Sequence, residues 1–365
     1  MHFINNISSH VSSNIDEINI AIDRVLKSGF YILGEEVSRF EKNFAEYCGT
    51  RKCVSTANGT DAIELALRTA GISPGDKVAV VANAGMYSST AVLAIGAIPF
   101  FMDVDYRTSL VRFDDIANAY KNNVKAVIVT HLYGSAIKDI EMISAFCKAK
   151  NLFLIEDCAQ AHGARVNDKS VGSFGNIGCF SFYPTKNLGA LGDGGAIITN
   201  NDNYADTVLA LRQYGWKNKK YQSDIRGGRN SRLDELQAAI LNCFLPKLNS
   251  WNIKRREIAN KYSELIDNEF IEKNEKLDTS SVAHLYVIRC SRRADLINYL
   301  SDRNIACDIH YPIPDYKQLL FEGIFDTVFL ENTEALASNV LSLPCYPELT
   351  MAEVGEIIKI INEFK

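Results

Sequence analysis

The sequence predicts an α/β protein with a mostly parallel sheet covered by helices on both faces, joined to a smaller α+β domain. Helical and strand patterns alternate over roughly the first 245 residues, which is the order that builds a parallel sheet. The predicted strands are apolar at nearly every position, as strands buried on both faces are. Because 365 residues exceed what one compact core usually serves, we predict a large domain at 1–245, including an N-terminal arm, and a small domain at 246–365.

The elements of the large domain follow from hydrophobic periodicity. Two amphipathic helices, Asp16–Ser28 and Val37–Tyr47, each end before a glycine, which is a common helix stop. Short apolar runs predict five strands, at Lys52–Thr56, Lys77–Val81, Pro99–Val104, Ala126–Thr130 and Leu152–Ile155. Between them the helical period predicts three helices, at Asp61–Ala70, Ser88–Ile95 and Lys138–Lys150.

The pattern after residue 245 is different. It predicts, in order, a long helix, one strand and two helices, at Trp251–Ile266, Leu285–Cys290, Ala294–Arg303 and from Met351 onward. With so few strands separated by helices, this part is typical of a small α+β domain.

Composition favours a cytoplasmic enzyme. The net charge is -5 and the sequence has no block of Lys and Arg, which argues against nucleic-acid binding. No apolar run reaches the ~18 residues of a membrane span, and the polar N-terminus is unlike a signal peptide. The nine cysteines show no Cys-x-x-Cys spacing, so we expect no metal site and a reducing compartment.

Asp157 and Lys186 are the first candidates for chemistry. Asp157 follows the predicted strand Leu152–Ile155, and in open α/β sheets the carboxyl ends of strands face the ligand crevice. Lys186 lies between an aromatic run and a glycine-rich segment, two residues after Pro184, which favours a turn. A lysine on a turn beside a buried strand can form a Schiff base with a carbonyl cofactor. Pyridoxal-5′-phosphate (PLP) sites pair such a lysine with an acidic partner of the ring nitrogen.

The sequence also contains a candidate phosphate-binding site. Gly59 and Thr60 directly precede a predicted helix, and exposed N–H groups at a helix N-terminus favour phosphate. Ser181 adds a hydroxyl, and Tyr87 could stack on a pyridine ring. Alone, each of these residues would more often be a helix cap or a core aromatic.

Taken together, these stretches resemble the DegT/DnrJ/StrS family of sugar-nucleotide aminotransferases. The resemblance runs from about Gly29 to Pro314, and its motifs are NGTDAIELAL, EDCAQAHGA, GSFGNIGCFSFYPTKNLGALGDGGAI, GGRNSRLDELQAAIL and HYPIP. It implies a PLP enzyme of fold type I, like aspartate aminotransferase, whose large domain has three α/β/α layers and binds the cofactor. The implied reaction moves an amino group from L-glutamate to a nucleotide-linked keto-sugar.

The resemblance also implies a role for each matching residue. Lys186 and Asp157 are the catalytic pair, with Lys186 as the Schiff-base lysine. The implied cofactor contacts are Gly59, Thr60, Tyr87, Asp157, Gln160, Ser181, Lys186 and Asn230. Asn230 reaches the phosphate of the neighbouring subunit, so a homodimer with shared active sites is expected. The candidates for sugar or pyrophosphate contact are Tyr183, Arg229, His310 and Tyr311.

The motif around Lys186 most resembles enzymes that aminate C3 of dTDP-3-keto-6-deoxyhexoses. Relatives acting at C4 more often carry histidine where this chain has Tyr183. C3 enzymes often have Leu-His after the HYP-x-P stretch, whereas this chain has Asp315 and Tyr316, which leaves the sugar configuration open. A UDP-linked substrate and C4 amination remain alternatives, as do a PLP-dependent sugar dehydratase, which would carry histidine in place of Lys186, and a regulator that binds PLP without catalysis. A product for O-antigen or another surface polysaccharide fits the sequence as well as one for a glycosylated natural product.

Overall fold

The computed structural model describes residues 2–365, and its main feature is a seven-stranded sheet. The strands that precede residue 200 are β1 (Lys52–Thr56), β2 (Lys77–Val81), β3 (Ile98–Met102), β4 (Ala126–Thr130), β5 (Phe153–Asp157), β6 (Arg165–Val166), β7 (Lys169–Ser170), β8 (Ile177–Ser181) and β9 (Gly195–Thr199). β6 and β7 pair separately as a hairpin, and the others lie side by side in the order β1-β9-β8-β5-β4-β2-β3. Only β9 runs antiparallel to its neighbours. The predicted α/β class with a mostly parallel sheet is therefore confirmed.

Helices cover both faces of this sheet. They are α1 (Ile7–Ser12), α2 (Ile15–Ser28), α3 (Glu35–Cys48), α4 (Gly59–Thr69), α5 (Tyr87–Ala94), α6 (Phe113–Lys121), α7 (Ile140–Ala149), α8 (Asp202–Leu211) and α9 (Glu235–Phe244). Alternate residues of β4 enter different cores: Val127 and Val129 pack with α3, α7 and α9, whereas Ala126 and Ile128 pack with α4, α5 and α8. Because both faces are buried, β4 is apolar at nearly every position.

The C-terminal part forms a second, smaller sheet with its own core. The strands β10 (Ile271–Glu272), β11 (Tyr286–Cys290) and β12 (Val340–Leu343) pair antiparallel in that order. They pack against α10 (Leu248–Leu265), α11 (Arg293–Ser301), α12 (Glu331–Asn339) and α13 (Met351–Asn362). This arrangement has the α+β character expected after residue 245, and the boundary between 245 and 246 stays a prediction.

Two further features bear on the expectations from composition. Across residues 2–365, no helix combines the length and the apolar character needed to cross a bilayer. All nine cysteines are free thiols, and most of them are buried, where a thiol packs as a small hydrophobic group.

Candidate active site

A cavity of about 980 Å³ opens where β4, β5 and β8 end and the C-terminal part comes close. Parallel strands bring their carboxyl ends to one edge, so loops from distant parts of the chain meet there. Ten of the residues singled out from the sequence line this cavity: Gly59, Thr60, Tyr87, Asp157, Gln160, Ser181, Tyr183, Lys186, His310 and Tyr311.

Asp157 is the last residue of β5, and its carboxylate is buried at the cavity floor. The backbone N–H of Ala159 donates to Oδ1 at 3.1 Å, and the hydroxyls of Ser88 and Thr130 donate to Oδ2, each at 3.4 Å. Burial raises the pKa of Asp157, while the N–H of Ala159 and the charge of Lys186 act in the opposite direction. A cationic ring nitrogen placed beside Asp157 would favour the ionised carboxylate further.

The side chain of the neighbouring Glu156 lies outside the cavity lining and stabilises the end of β5 through hydrogen bonds. Its Oε1 accepts the N–H groups of Phe174 and Gly175 at 2.8 and 2.6 Å, and its Oε2 accepts that of Gly172 at 2.8 Å and lies 3.0 Å from His131 Nε2. His131, Glu156 and Cys158 lie close enough together to hold a metal ion, but each oxygen of Glu156 already accepts hydrogen bonds. We interpret the cluster as the support that fixes the backbone before and after Asp157.

Lys186 sits on the turn after β8, facing Asp157. Its backbone N–H donates to the carbonyl of Tyr183 at 2.8 Å, which closes the turn. Burial lowers the pKa of Lys186 from 10.5 to about 8, and the charge of Asp157 opposes this effect. An amine with this pKa is partly neutral near pH 8, and the neutral form is the nucleophile that attacks a carbonyl.

The turn that carries Lys186 is anchored through its neighbour, Asn187. The Asn187 amide donates to Asn252 Oδ1 at 2.8 Å and to the carbonyl of Val282 at 3.0 Å, and its oxygen lies 3.0 Å from His284 Nδ1. These contacts tie the turn to α10 and to the segment before β11. No local sequence pattern predicts this network, because its members come from three distant segments.

The N-terminus of α4 and Ser181 form the candidate phosphate seat. The side chain of Asn58 caps the N–H of Asp61 at 2.8 Å, whereas the first N–H groups of a helix have no acceptor within the helix. A Cβ atom at Gly59 would lie only 2.7 Å from Ser181 Cβ. Only glycine therefore permits this close approach of the helix to Ser181, and the phosphate-binding role of both residues stays a prediction.

Aromatic and amide side chains form another part of the cavity lining. The rings of Tyr87 and Tyr311 meet edge to face, with centroids 6.1 Å apart. Gln160 donates to the Tyr311 hydroxyl at 3.1 Å and accepts the N–H of Tyr133 at 2.7 Å. Tyr87 is 52% exposed, so its ring is available to a ligand in the cavity.

Three histidines around Lys186 favour their neutral forms. Burial lowers the pKa of His162 to about 3, with a further contribution from the charge of Lys186. The same two causes lower the pKa of His284, and they outweigh the charge of Asp308 at His310. Lys186 is therefore the principal cationic side chain among these residues.

Two predicted residues lie apart from the cavity lining. Arg229 contacts Asp61 at 3.3 Å and also pairs with Glu64, both on α4. Asn230 is exposed to solvent, and its predicted contact is with the phosphate of a second subunit. The roles of both residues stay predictions.

The residues of this cavity fit PLP. A lysine with a lowered pKa faces a buried carboxylate, as the aldehyde and the ring nitrogen require. The close seat at Gly59 and Ser181 suits the phosphate, and the exposed ring of Tyr87 suits the pyridine.

Comparison with known proteins decides the family. Residues 13–362 match the model of the DegT/DnrJ/EryC1/StrS aminotransferase family. The chain belongs to this family. The predicted resemblance is confirmed, and with it the PLP dependence that the family implies.

Similar proteins cover nearly the whole length. The dTDP-3-amino-3,6-dideoxy-alpha-D-galactopyranose transaminase of Aneurinibacillus thermoaerophilus is 45% identical over 349 residues, which is 95% of each chain. The structure of DesV from S. venezuelae superposes with a TM-score of 0.93 at 36% identity, covering 98% of this chain and 96% of DesV. The structure of NtdA from Bacillus subtilis, solved with the bound cofactor PMP, superposes with a TM-score of 0.90 at 31% identity. The superposition covers 96% of this chain and 81% of NtdA.

Proposed function

We propose that this PLP-dependent aminotransferase transfers an amino group from L-glutamate to C3 of a dTDP-linked 3-keto-6-deoxyhexose. The observation that carries the proposal is the identity of 45%, over 95% of both chains, with the dTDP-3-amino-3,6-dideoxy-alpha-D-galactopyranose transaminase. The cavity of about 980 Å³ lies at the upper end of ordinary ligand sites, so it has room for a hexose beside the cofactor.

Lys186 performs the proton transfers. When bound, PLP supplies a carbonyl carbon that takes up the amino group and a ring that accepts the electron pair of a broken C–H bond. Lys186 Nζ, once free, takes the proton from Cα of the amino donor. That proton would pass to the cofactor carbon that holds the amino group, and in the second half of the reaction Lys186 would move a proton from this carbon to C3 of the sugar. A pKa of about 8 suits a group that must accept and donate protons near neutral pH.

Asp157 keeps the ring nitrogen protonated. Its carboxylate is fixed by the N–H of Ala159 and faces Lys186 across the cavity. The negative charge at this atom favours the pyridinium form, and the electron-accepting capacity of the ring depends on that form.

Three of the four predicted sugar contacts belong to the cavity lining. These are Tyr183, His310 and Tyr311, and we propose that they contact the hexose. Arg229 is held at α4 by Asp61, near the cavity mouth, and is proposed for the pyrophosphate. A homodimer would complete the site, because Asn230 is exposed and the resemblance assigns it to the phosphate of the neighbouring subunit.

The direct test is a reaction with defined substrates. Purified enzyme loaded with PLP is incubated with L-glutamate and one of three keto-sugars: a dTDP-3-keto-6-deoxyhexose, its 4-keto isomer and a UDP-linked 3-keto-sugar. Mass spectrometry detects the amine, and NMR locates it on the ring. Preferred conversion of the dTDP-linked 3-keto-sugar supports the proposal. Preferred conversion of either comparator would replace it, and no conversion by enzyme that binds PLP would favour a binding protein.

A further inference from the structure

Asp315 joins the C-terminal part of the chain to the loop that begins α5. Its carboxylate is only 1% exposed. Oδ1 accepts the backbone N–H of Met86 at 2.9 Å, and Oδ2 accepts the hydroxyl of Ser89 at 2.5 Å. The backbone N–H of Asp315 donates to the carbonyl of Ala82 at 2.8 Å. Three hydrogen bonds thus connect one residue to the segment that follows β2.

The start of α5 depends on this distant acceptor. Its N-cap residue is Met86, which has φ +70° and makes no side-chain capping bond. Helix starts are normally capped by a local Ser, Thr, Asp or Asn, and a left-handed conformation is unfavourable for a residue with a side chain. The carboxylate of Asp315, 229 positions away, instead holds this helix start by accepting the N–H of Met86 itself and the hydroxyl of Ser89.

The first turn of α5 carries two side chains of the active site. Tyr87 lines the cavity, and the hydroxyl of Ser88 donates to Asp157 at 3.4 Å. The segment from His310 to Asp315 also packs against the start of α5. The ring of Tyr311 would lie only 2.8 Å from a Cβ atom at Gly85. Asp315 therefore connects the segment that carries Tyr87, a predicted cofactor contact, to the segment that carries Tyr311, a predicted sugar contact.

We propose that Asp315 is a positioning residue that fixes the first turn of α5, so that Tyr87 stays against the cofactor ring and Ser88 stays at Asp157. The proposal rests on the proposed use of the cavity. Burial raises the pKa of Asp315 to about 6, against the hydrogen bonds from Ser89 and Met86, so the carboxylate is ionised at neutral pH.

Three variants separate the contributions at this contact. Asp315→Leu keeps a similar size and removes both acceptors. Asp315→Asn keeps Oδ1 for the N–H of Met86 and presents an NH₂ group that can donate to Ser89. Ser89→Ala removes one hydrogen bond and leaves the carboxylate in place. If Asp315→Leu fails to fold, Ser89→Ala carries the test.

The first readout needs no cofactor. Hydrogen–deuterium exchange of the PLP-free protein should be at least about tenfold faster in residues 84–90 of Asp315→Leu, because losing a buried acceptor costs about a factor of ten or more. Ser89→Ala should show a severalfold increase and Asp315→Asn the smallest change, with β11 unaffected in all three. Unchanged exchange in both Asp315→Leu and Ser89→Ala would overturn the proposal.

The second readout is the dissociation constant of PLP. We expect it to rise about tenfold or more in Asp315→Leu, severalfold in Ser89→Ala and less in Asp315→Asn. Faster exchange with unchanged PLP affinity would overturn the positioning role while leaving the proposed function intact. Failure of the wild type to bind PLP would overturn the proposed function and the cofactor role of Asp315 together.

Discussion

Replacing Lys186 by methionine should stabilise the protein in the absence of PLP. The ammonium group is held where burial disfavours its charge, and this lowers the pKa of Lys186 from 10.5 to about 8. Methionine has similar length and no charge. The expected gain reflects a lysine placed for chemistry at the expense of stability, as active-site groups often are.

The magnitude follows from the pKa. At about 1.4 kcal/mol per pKa unit, the lowering from 10.5 to about 8 corresponds to an upper limit of about 3 kcal/mol. Because Lys186 is only half-buried and lines an open cavity, solvent screening reduces this figure, and we expect a gain of about 1–2 kcal/mol at pH 7.

The sign of the pH dependence is fixed by the direction of the shift. Between pH 8 and 10.5 the unfolded chain binds a proton at Lys186 that the folded chain does not, so the stability of the wild type rises with pH in this window. The advantage of Lys186→Met should therefore shrink to less than half by about pH 9.5.

The assay is urea unfolding of both PLP-free proteins at pH 7 and pH 9.5. Lys254→Met, at an exposed position on α10, is the matched control and should change the free energy of unfolding by less than about 0.5 kcal/mol at either pH. A Lys186→Met protein that is less stable than the wild type at pH 7, or whose gain does not depend on pH, would refute the reasoning.

Three further substitutions test other parts of the site. Gly59→Ala places a Cβ atom 2.7 Å from Ser181 Cβ and should weaken PLP binding about tenfold in a fluorescence titration. The control Gly355→Ala, whose new Cβ meets no atom within 4 Å, should leave PLP affinity unchanged. Equal PLP affinities of the two variants would contradict phosphate binding at Gly59. Asp157→Asn should slow the half-reaction with L-glutamate by about a factor of 10² to 10⁴ in stopped-flow absorbance, and a loss below about threefold would remove its role. Glu156→Gln turns an NH₂ group toward backbone N–H donors and should lower the free energy of unfolding, measured in urea, by about 2–3 kcal/mol. A loss under about 0.5 kcal/mol would show that the carboxylate does not stabilise the end of β5.

The strands of the central sheet could largely be predicted because a doubly covered sheet leaves a simple pattern. β1, β2 and β4 have the predicted limits, since short runs rich in apolar and β-branched residues between turns have few other interpretations. β9 was not predicted. It follows directly after a glycine-rich segment and begins at Gly195, where a Cβ atom would lie 2.3 Å from the carbonyl of Asn58, so close packing determines its sequence.

Short helices were harder to predict than strands. α1, α6 and α12 have 6 to 9 residues, which is too few for a periodic pattern to stand out. α5 was predicted one residue too late at its start, because no local side chain caps it and Met86 is held by Asp315, which is distant in the sequence. No local pattern contains that information.

The candidate site was predicted as a set of residues rather than as a geometry. The resemblance singled out Lys186, Asp157 and Gly59 from their motifs, and the cavity brings them together. The support from Glu156 and Asn187 was not predicted, because a buried Glu or Asn in a sequence does not show which distant groups it will bind. Arg229 and Asn230 lie outside the lining, so their predicted contacts stay predictions.

The most direct test of the central claim is borohydride trapping of the cofactor. Enzyme loaded with PLP is reduced with sodium borohydride and digested, and mass spectrometry locates the attached pyridoxyl group. We predict that the group is found on Lys186, and that incubation with L-glutamate before reduction removes the label, since the amino donor releases the lysine. A label on another lysine, no label at all, or a label on Lys186 that persists in the presence of L-glutamate would contradict the account.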